Sequence, residues 1–153
     1  MQGEQNRTMT KPLAAQEVAK QIAEQVPQSV VEFNESFVLV KPESVFQVAQ
    51  FLKNTPGLDF DYLTCLTGTD YLDYLEVVYI LTSMKHNHSV VLKARCNREN
   101  PEVPSVVNLW RGADYQEREV YDLLGIRFVG HPKLKRLFLW EGFQGHPLRR
   151  DYL

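Results

Sequence analysis

The chain has 153 residues, 44% hydrophobic, 11% aromatic and 24% charged, with a net charge of −2, which suits one globular domain and excludes a disordered polyelectrolyte. Its longest near-apolar run, Leu75 to Thr82, contains Glu76 and falls far short of the ~20 residues of a membrane-spanning helix, so membrane association is expected only through a partner. The charge is uneven: Arg127 to Arg150 holds six Lys or Arg against one acid, for +5, leaving −7 elsewhere.

In chain order, "MQGEQNRTMTKPLAAQ" lacks an apolar stretch of signal-peptide type, and residues 1–12 are expected to be a flexible N-terminus. Ala15, Val18, Ala19, Ile22 and Val26 repeat at helical spacing and predict a helix over 14–26, closed by Pro27. "SVVEF" and "FVLVK", joined by Asn34-Glu35-Ser36, predict a hairpin. Pro42 suits a first helical position, and Val45, Val48, Ala49 and Leu52 carry a second helix until "NTPG" breaks it. "FDYLTCLTG" is β-rich. "LEVVYIL" is the continuous apolar run expected of a strand covered on both faces, and Val90, Leu92, Ala94 and Cys96 alternate with polar neighbours. The link "SMKHNHS" makes the last two a hairpin. After "NPEVPS", a short helical stretch is expected at 106–110 and a longer helix at 114–124. Asp114 with Glu117 reads as a capping box, and Gly125 as a left-handed terminator. From Ile126 to Leu153 no period is sustained. The fold class is therefore α+β: two layers, a mixed sheet of about five strands with helices on one face, and an irregular C-terminal tail.

Cys65 and Cys96 lie 31 apart with no Cys-x-x-Cys, which argues against an iron–sulfur or zinc site of this chain alone and suits a reduced cytoplasmic setting. No G-x-G-x-x-G or G-x-x-x-x-G-K-[ST] spacing is present. His86 and His88 flank Asn87 in a predicted turn, while His131 and His146 each precede a proline that biases them to extended backbone. Glu117 shares a helical stripe with Ala113, Val120 and Leu124, so its carboxylate must be paired or protonated. Arg127, Arg136, Arg149 and Arg150 are the available cations, and the tail is expected to fold back over this helix. Arg118 with Asp122 forms an i,i+4 pair. A nucleic-acid role is disfavoured because no helix presents the basic residues as one face.

The stretch "PSVVNLWRGADYQEREVYDLLGIRFVGHPKLKRLFLWEGFQGHPLRRDY", Pro104 to Tyr152, resembles the signature region of the family of complex I C subunits, whose eukaryotic counterpart is the thirty-kilodalton subunit of the respiratory chain. The Ala-Asp-aromatic-Gln-Glu-Arg-Glu run, Tyr-Asp-Leu-Leu-Gly-Ile, the His-Pro before Leu-Lys-Arg, and Gly-His-Pro-Leu-Arg-Arg-Asp carry it. Upstream, "FDYLTCLTGTDY" is similar to a strand of the family. The sequence departs from the family in stopping at Leu153, where many members continue, and in Phe138, where a smaller aliphatic is commoner.

The resemblance implies a family domain over 13–125 and a basic tail, 126–153, packing on partner subunits. It implies a non-catalytic structural subunit on the cytoplasmic side of the cell membrane. Its partners would be the hydrogenase-like 49 kDa-type subunit and the small Fe–S subunit of a proton-translocating donor:quinone oxidoreductase. No cofactor is expected on this chain, while the assembled complex would use Fe–S clusters, quinone, FMN and NADH. Glu117, Arg118, Glu119, Asp122, His131, Lys135, Arg136, His146, Arg149 and Arg150 are the expected docking and tail-fixing residues. The same module occurs in group 4 [NiFe] hydrogenases, which leaves the donor open. A reading of another class is a free-standing hydrolase or lyase using His131 or His146 with Glu117, which requires those groups to converge in an open cleft.

Overall fold

The computed structural model describes residues 11–135 and 144–150. The elements in chain order are β1 (Lys11–Pro12), α1 (Ala15–Gln25), β2 (Val30–Phe33), β3 (Val38–Val40), a 3-10 turn (Pro42–Ser44) and α2 (Val45–Asn54). They continue with β4 (Tyr62–Asp70), β5 (Leu75–Ser83), β6 (His88–Cys96), β7 (Glu102–Pro104), α3 (Ala113–Leu124) and β8 (Arg127–Val129).

The main sheet is mixed. Its order is β2-β3-β6-β5-β4, with β1 pairing parallel to the start of β6, so it has six strands where about five were expected. β5 is antiparallel to β4 and β6, whereas β3 runs parallel to β6. In the β2–β3 turn, the Asn34 side-chain oxygen accepts the N–H groups of Ser36 and Phe37, the local bond that makes asparagine a turn former. Lys11 and Pro12 pair with His88 and Ser89, which binds the end of the segment expected to be flexible; residues 1–10 lie outside the described residues.

Alternation along β5 sets the two faces. Leu75, Val77, Tyr79 and Leu81 are at most 1% exposed and pack with Val18 and Ile22 of α1, Val48 and Leu52 of α2, and Val120 and Leu124 of α3. All three helices therefore cover one face. The opposite face carries Glu76, Val78, Ile80 and Thr82, and Val78 and Ile80 are only half-buried, so β5 is not covered by helices on both sides. Its apolar continuity comes from its central place between β4 and β6. On that open face the Glu76 carboxylate meets Arg95 at 3.0 Å and Lys93 at 3.5 Å, and the two cations lie over the rings of Tyr74 and Phe37.

Three further differences from expectation concern the C-terminal half. Residues 106–110 form a turn, in which Val106 C=O accepts the N–H groups of Leu109 and Trp110. β7, inside the Pro-rich "NPEVPS", pairs parallel with β8, and Ile126 and Phe128 are buried in the same core. Folded structure thus continues past residue 125, because three alternating residues are too few to show a period.

Candidate functional site

α3 begins one residue earlier than expected, with Gly112 as N-cap and no side-chain cap. Asp114 and Glu117 therefore lie inside the helix and form no capping box. Ala113, Glu117, Val120 and Leu124 make one buried stripe, and Glu117 is fully buried. Its Oε1 accepts the Ser105 hydroxyl at 2.6 Å, and its Oε2 accepts the Val106 N–H at 2.9 Å. Burial pushes this carboxyl up to about 7; the Ser105 and Val106 bonds oppose the rise and the charge of Asp114 adds to it.

Glu117 is thus answered by a hydroxyl and an amide, where arginines were expected. The reason is position. The stripe lies under the 105–110 turn, which Trp110 pins by donating its Nε1–H to Phe60 C=O at 3.1 Å. Ser105 was missed by sequence reasoning. Its signal was a hydroxyl directly after Pro104, of the type that accepts an N–H two residues on, here that of Val107. Across the core, the Tyr79 phenol is raised well above its ordinary value, first by burial and then by the charge of Glu117.

Arg127 donates to Glu102 and to Asn100, at the mouth of the small β7–β8 sheet. The His131 side chain is buried; its Nδ1 accepts the Lys133 N–H at 2.9 Å, which leaves Nε2 to donate to Asp114 C=O at 3.4 Å, with Asp114 Oδ1 3.0 Å away. Arg118 lies over the Tyr115 ring and reaches the Lys135 carbonyl at 3.4 Å, so the expected pair with Asp122 is not made. Asp122 is fully buried, whereas Glu119 is exposed beside a cleft of about 210 Å³ between β4 and α3. Arg136 lies outside the described residues.

The second part of the site is the end of α3. A helix leaves its last carbonyls without intrahelical partners, and here residues 146–149 supply them. His146 Nδ1 donates to Asp122 C=O at 3.0 Å, Leu148 N–H to Leu123 C=O at 2.9 Å, and Arg149 Nε–H to Leu124 C=O at 2.7 Å. Gly125 closes the turn with φ +81° and donates to Tyr121 C=O. A Cβ on Gly125 would sit 2.7 Å from the His146 ring, so glycine is required by conformation and by space. Arg149 also brings positive charge to the negative end of the helix dipole.

The tail accordingly folds back over α3, at its end and not at Glu117. The groups proposed for acid–base chemistry do not converge: Glu117 is bound to Ser105 and Val106, His131 to the first turn of α3, and His146 to its last. His86 bonds Asp59 at 2.7 Å and His88 bonds Leu58 C=O at 2.9 Å, at a separate place. Among the described residues no group of three or more His, Cys, Asp or Glu is placed to hold a metal ion.

These features define the class: an α+β domain whose signature helix holds an upstream turn with the buried carboxyl of Glu117 and holds residues 146–149 of its C-terminal tail with its last main-chain carbonyls. The chain belongs to the family of the respiratory-chain NADH dehydrogenase 30 Kd subunit, whose model matches residues 38–153. The C subunit of the NADH-quinone oxidoreductase of Roseiflexus sp. (strain RS-1) is 46% identical over 117 residues, 74% of this chain and 67% of that protein. The C/D subunit of the NADH-quinone oxidoreductase of Phocaeicola vulgatus is 48% identical over 105 residues, 67% of this chain and 20% of that protein. Among solved structures, a trypsin-resistant fragment (1-134) of Nqo5 in a P63 form has a TM-score of 0.61 at 28% identity, covering 78% of this chain and 99% of its own.

Proposed function

We propose that this chain is a non-catalytic structural subunit of a proton-translocating NADH:quinone oxidoreductase. In this role it sits in the cytoplasmic arm and helps to join the electron-transfer arm to the quinone-site subunit. The observation that carries the reading is the family match over 38–153, which takes in strands β3 to β6 of the sheet, α3 and the tail together. The disposition of the charged motif supports it. Glu117, His131 and His146 are each bonded within the fold, as side chains that set the shape of a surface would be.

The partner on this reading is the 49 kDa-type subunit, with the small Fe–S subunit beside it. A relative whose name joins C and D in one chain supports a partner held adjacent to the C part. The Fe–S clusters, quinone and FMN belong to the other subunits, and this chain supplies register and rigidity. No helix among the described residues is long and apolar enough to cross a membrane, and attachment to the membrane goes through the complex. Deleting the gene in the source cell and assaying membranes tests the reading. NADH oxidation coupled to quinone should be lost and restored by the wild-type chain; unchanged coupled activity in the deletion would refute it.

A further inference from the structure

Asp70, at the last position of β4, is 4% exposed and lies near the end of the "FDYLTCLTGTDY" stretch, outside the charged residues considered so far. Its Oδ1 accepts the Arg98 guanidinium and, at 2.7 Å, the Leu72 N–H; these bonds close the β4–β5 turn and tie it to the segment after β6. Its Oδ2 does something else. It accepts the N–H of Arg150, 80 positions away, at 2.7 Å. Arg149 completes the arrangement: Nε–H donates to Leu124 C=O at the end of α3, and Nη2 donates to Arg98 C=O at 3.1 Å. A guanidinium that gives up water for two main-chain carbonyls from different elements is acting as a cross-brace.

We propose that Asp70 and Arg149 form an anchor that fixes residues 146–150 of the tail against the end of α3, and that this anchor serves docking to the partner subunit. The docking half rests on the subunit reading above. Three element ends meet in the anchor: that of β4 through Asp70, the segment after β6 through Arg98, and that of α3 through Leu124. The anchor also sets Leu148, 59% exposed, over the cleft lined by Gly68, Val120 and Leu124, so an apolar side chain is presented outward from a fixed place. Burial alone would raise the Asp70 carboxyl, but the Arg98 guanidinium and the N–H groups of Arg150 and Leu72 outweigh it and hold it at about 2. The anchor is therefore charged throughout the physiological range.

The full chain carrying Asp70→Asn or Arg149→Gln, followed by hydrogen exchange and limited trypsinolysis, tests the anchor. Asparagine sets an NH₂ against a donor, either Arg150 N–H or Arg98. The amides of Leu148, Arg149 and Arg150 should exchange about tenfold faster, the scale of one lost hydrogen bond to a charged group, while those of β5 and β6 keep wild-type protection. Cleavage after Arg149 should accelerate in Asp70→Asn, since the protease must lift that side chain out. Tail amides as protected as wild type would overturn the anchor. If Asp70→Asn loosens the sheet as well, Arg149→Gln decides alone, because its contacts are confined to the tail and two carbonyls.

A second arm expresses each variant in place of the wild type and measures its recovery in the purified complex, which should fall several-fold. Full recovery with a loosened tail would overturn the docking half and leave the anchor standing. Failure of the wild-type chain itself to be recovered in any complex would remove the subunit reading and the docking half with it; the exchange result would still decide the anchor.

Discussion

Replacing Glu117 by glutamine should remove a pH dependence of stability that the wild type carries. In the fold the carboxyl titrates near 7, against 4.5 for the unperturbed group. Between those values the folded state holds a proton that the unfolded chain has released, so stability falls as pH rises. The contribution is fully present below about pH 4.5 and is lost as pH passes through 7. At about 1.4 kcal/mol per pH unit, the whole effect is about 3 kcal/mol. Glutamine keeps the geometry: its carbonyl can accept Val106 N–H and its amide can donate to Ser105 Oγ, which has lone pairs to spare. The assay is urea unfolding of both proteins from pH 4.5 to 8. Histidines and surface carboxylates are common to both and cancel in the difference. The wild-type midpoint should fall steadily relative to that of Glu117→Gln, at unchanged m. Parallel profiles would refute the argument that Glu117 is held protonated by burial.

Gly125→Ala should cost about 1–2 kcal/mol from the left-handed backbone alone. It should also free His146 from the helix end, visible as faster exchange at Leu148, because the new Cβ would meet the ring at 2.7 Å. Gly68→Ala drives a methyl to 2.6 Å from Leu124 Cδ1 and 3.0 Å from Val120 Cγ1; overpacking of this kind costs about 1–3 kcal/mol and should appear as a lower melting temperature. Trp110→Phe leaves Phe60 C=O buried without its donor and should lower unfolding stability by about 1–3 kcal/mol beyond the loss of packing. Asp70 has the opposite pH sign to Glu117: its contribution is present above about pH 3.8, is lost as pH falls towards 2, and should disappear from the acid unfolding curve of Asp70→Asn.

The parts of the fold that were legible in the sequence are those with a long period. α1, α2, α3 and the β5–β6 hairpin show apolar spacings over nine or more residues, and Gly125 announced its own turn. β1, β7 and β8 have only two or three residues each, and their pairing depends on tertiary neighbours that no local pattern reports. In the site, the stripe position of Glu117 was enough to show that its carboxylate is buried. Its partner was not legible, because an apolar stripe does not say whether a cation or a neutral donor will cover it. The tail's return was expected from charge, but its target was missed: the donors of an arginine can also bond the free carbonyls of a helix end. Asp70 lay inside the quoted stretch "FDYLTCLTGTDY", but nothing local showed that its carboxylate would meet Arg98 and the tail.

The most direct measurement is recovery of the tagged full-length chain from mild-detergent extracts of its own cell, with the co-purifying proteins identified by mass spectrometry. The account requires the other subunits of an NADH-quinone oxidoreductase, with a 49 kDa-type subunit in equal amount. Recovery of the chain alone, or with a partner set lacking that subunit, would contradict it.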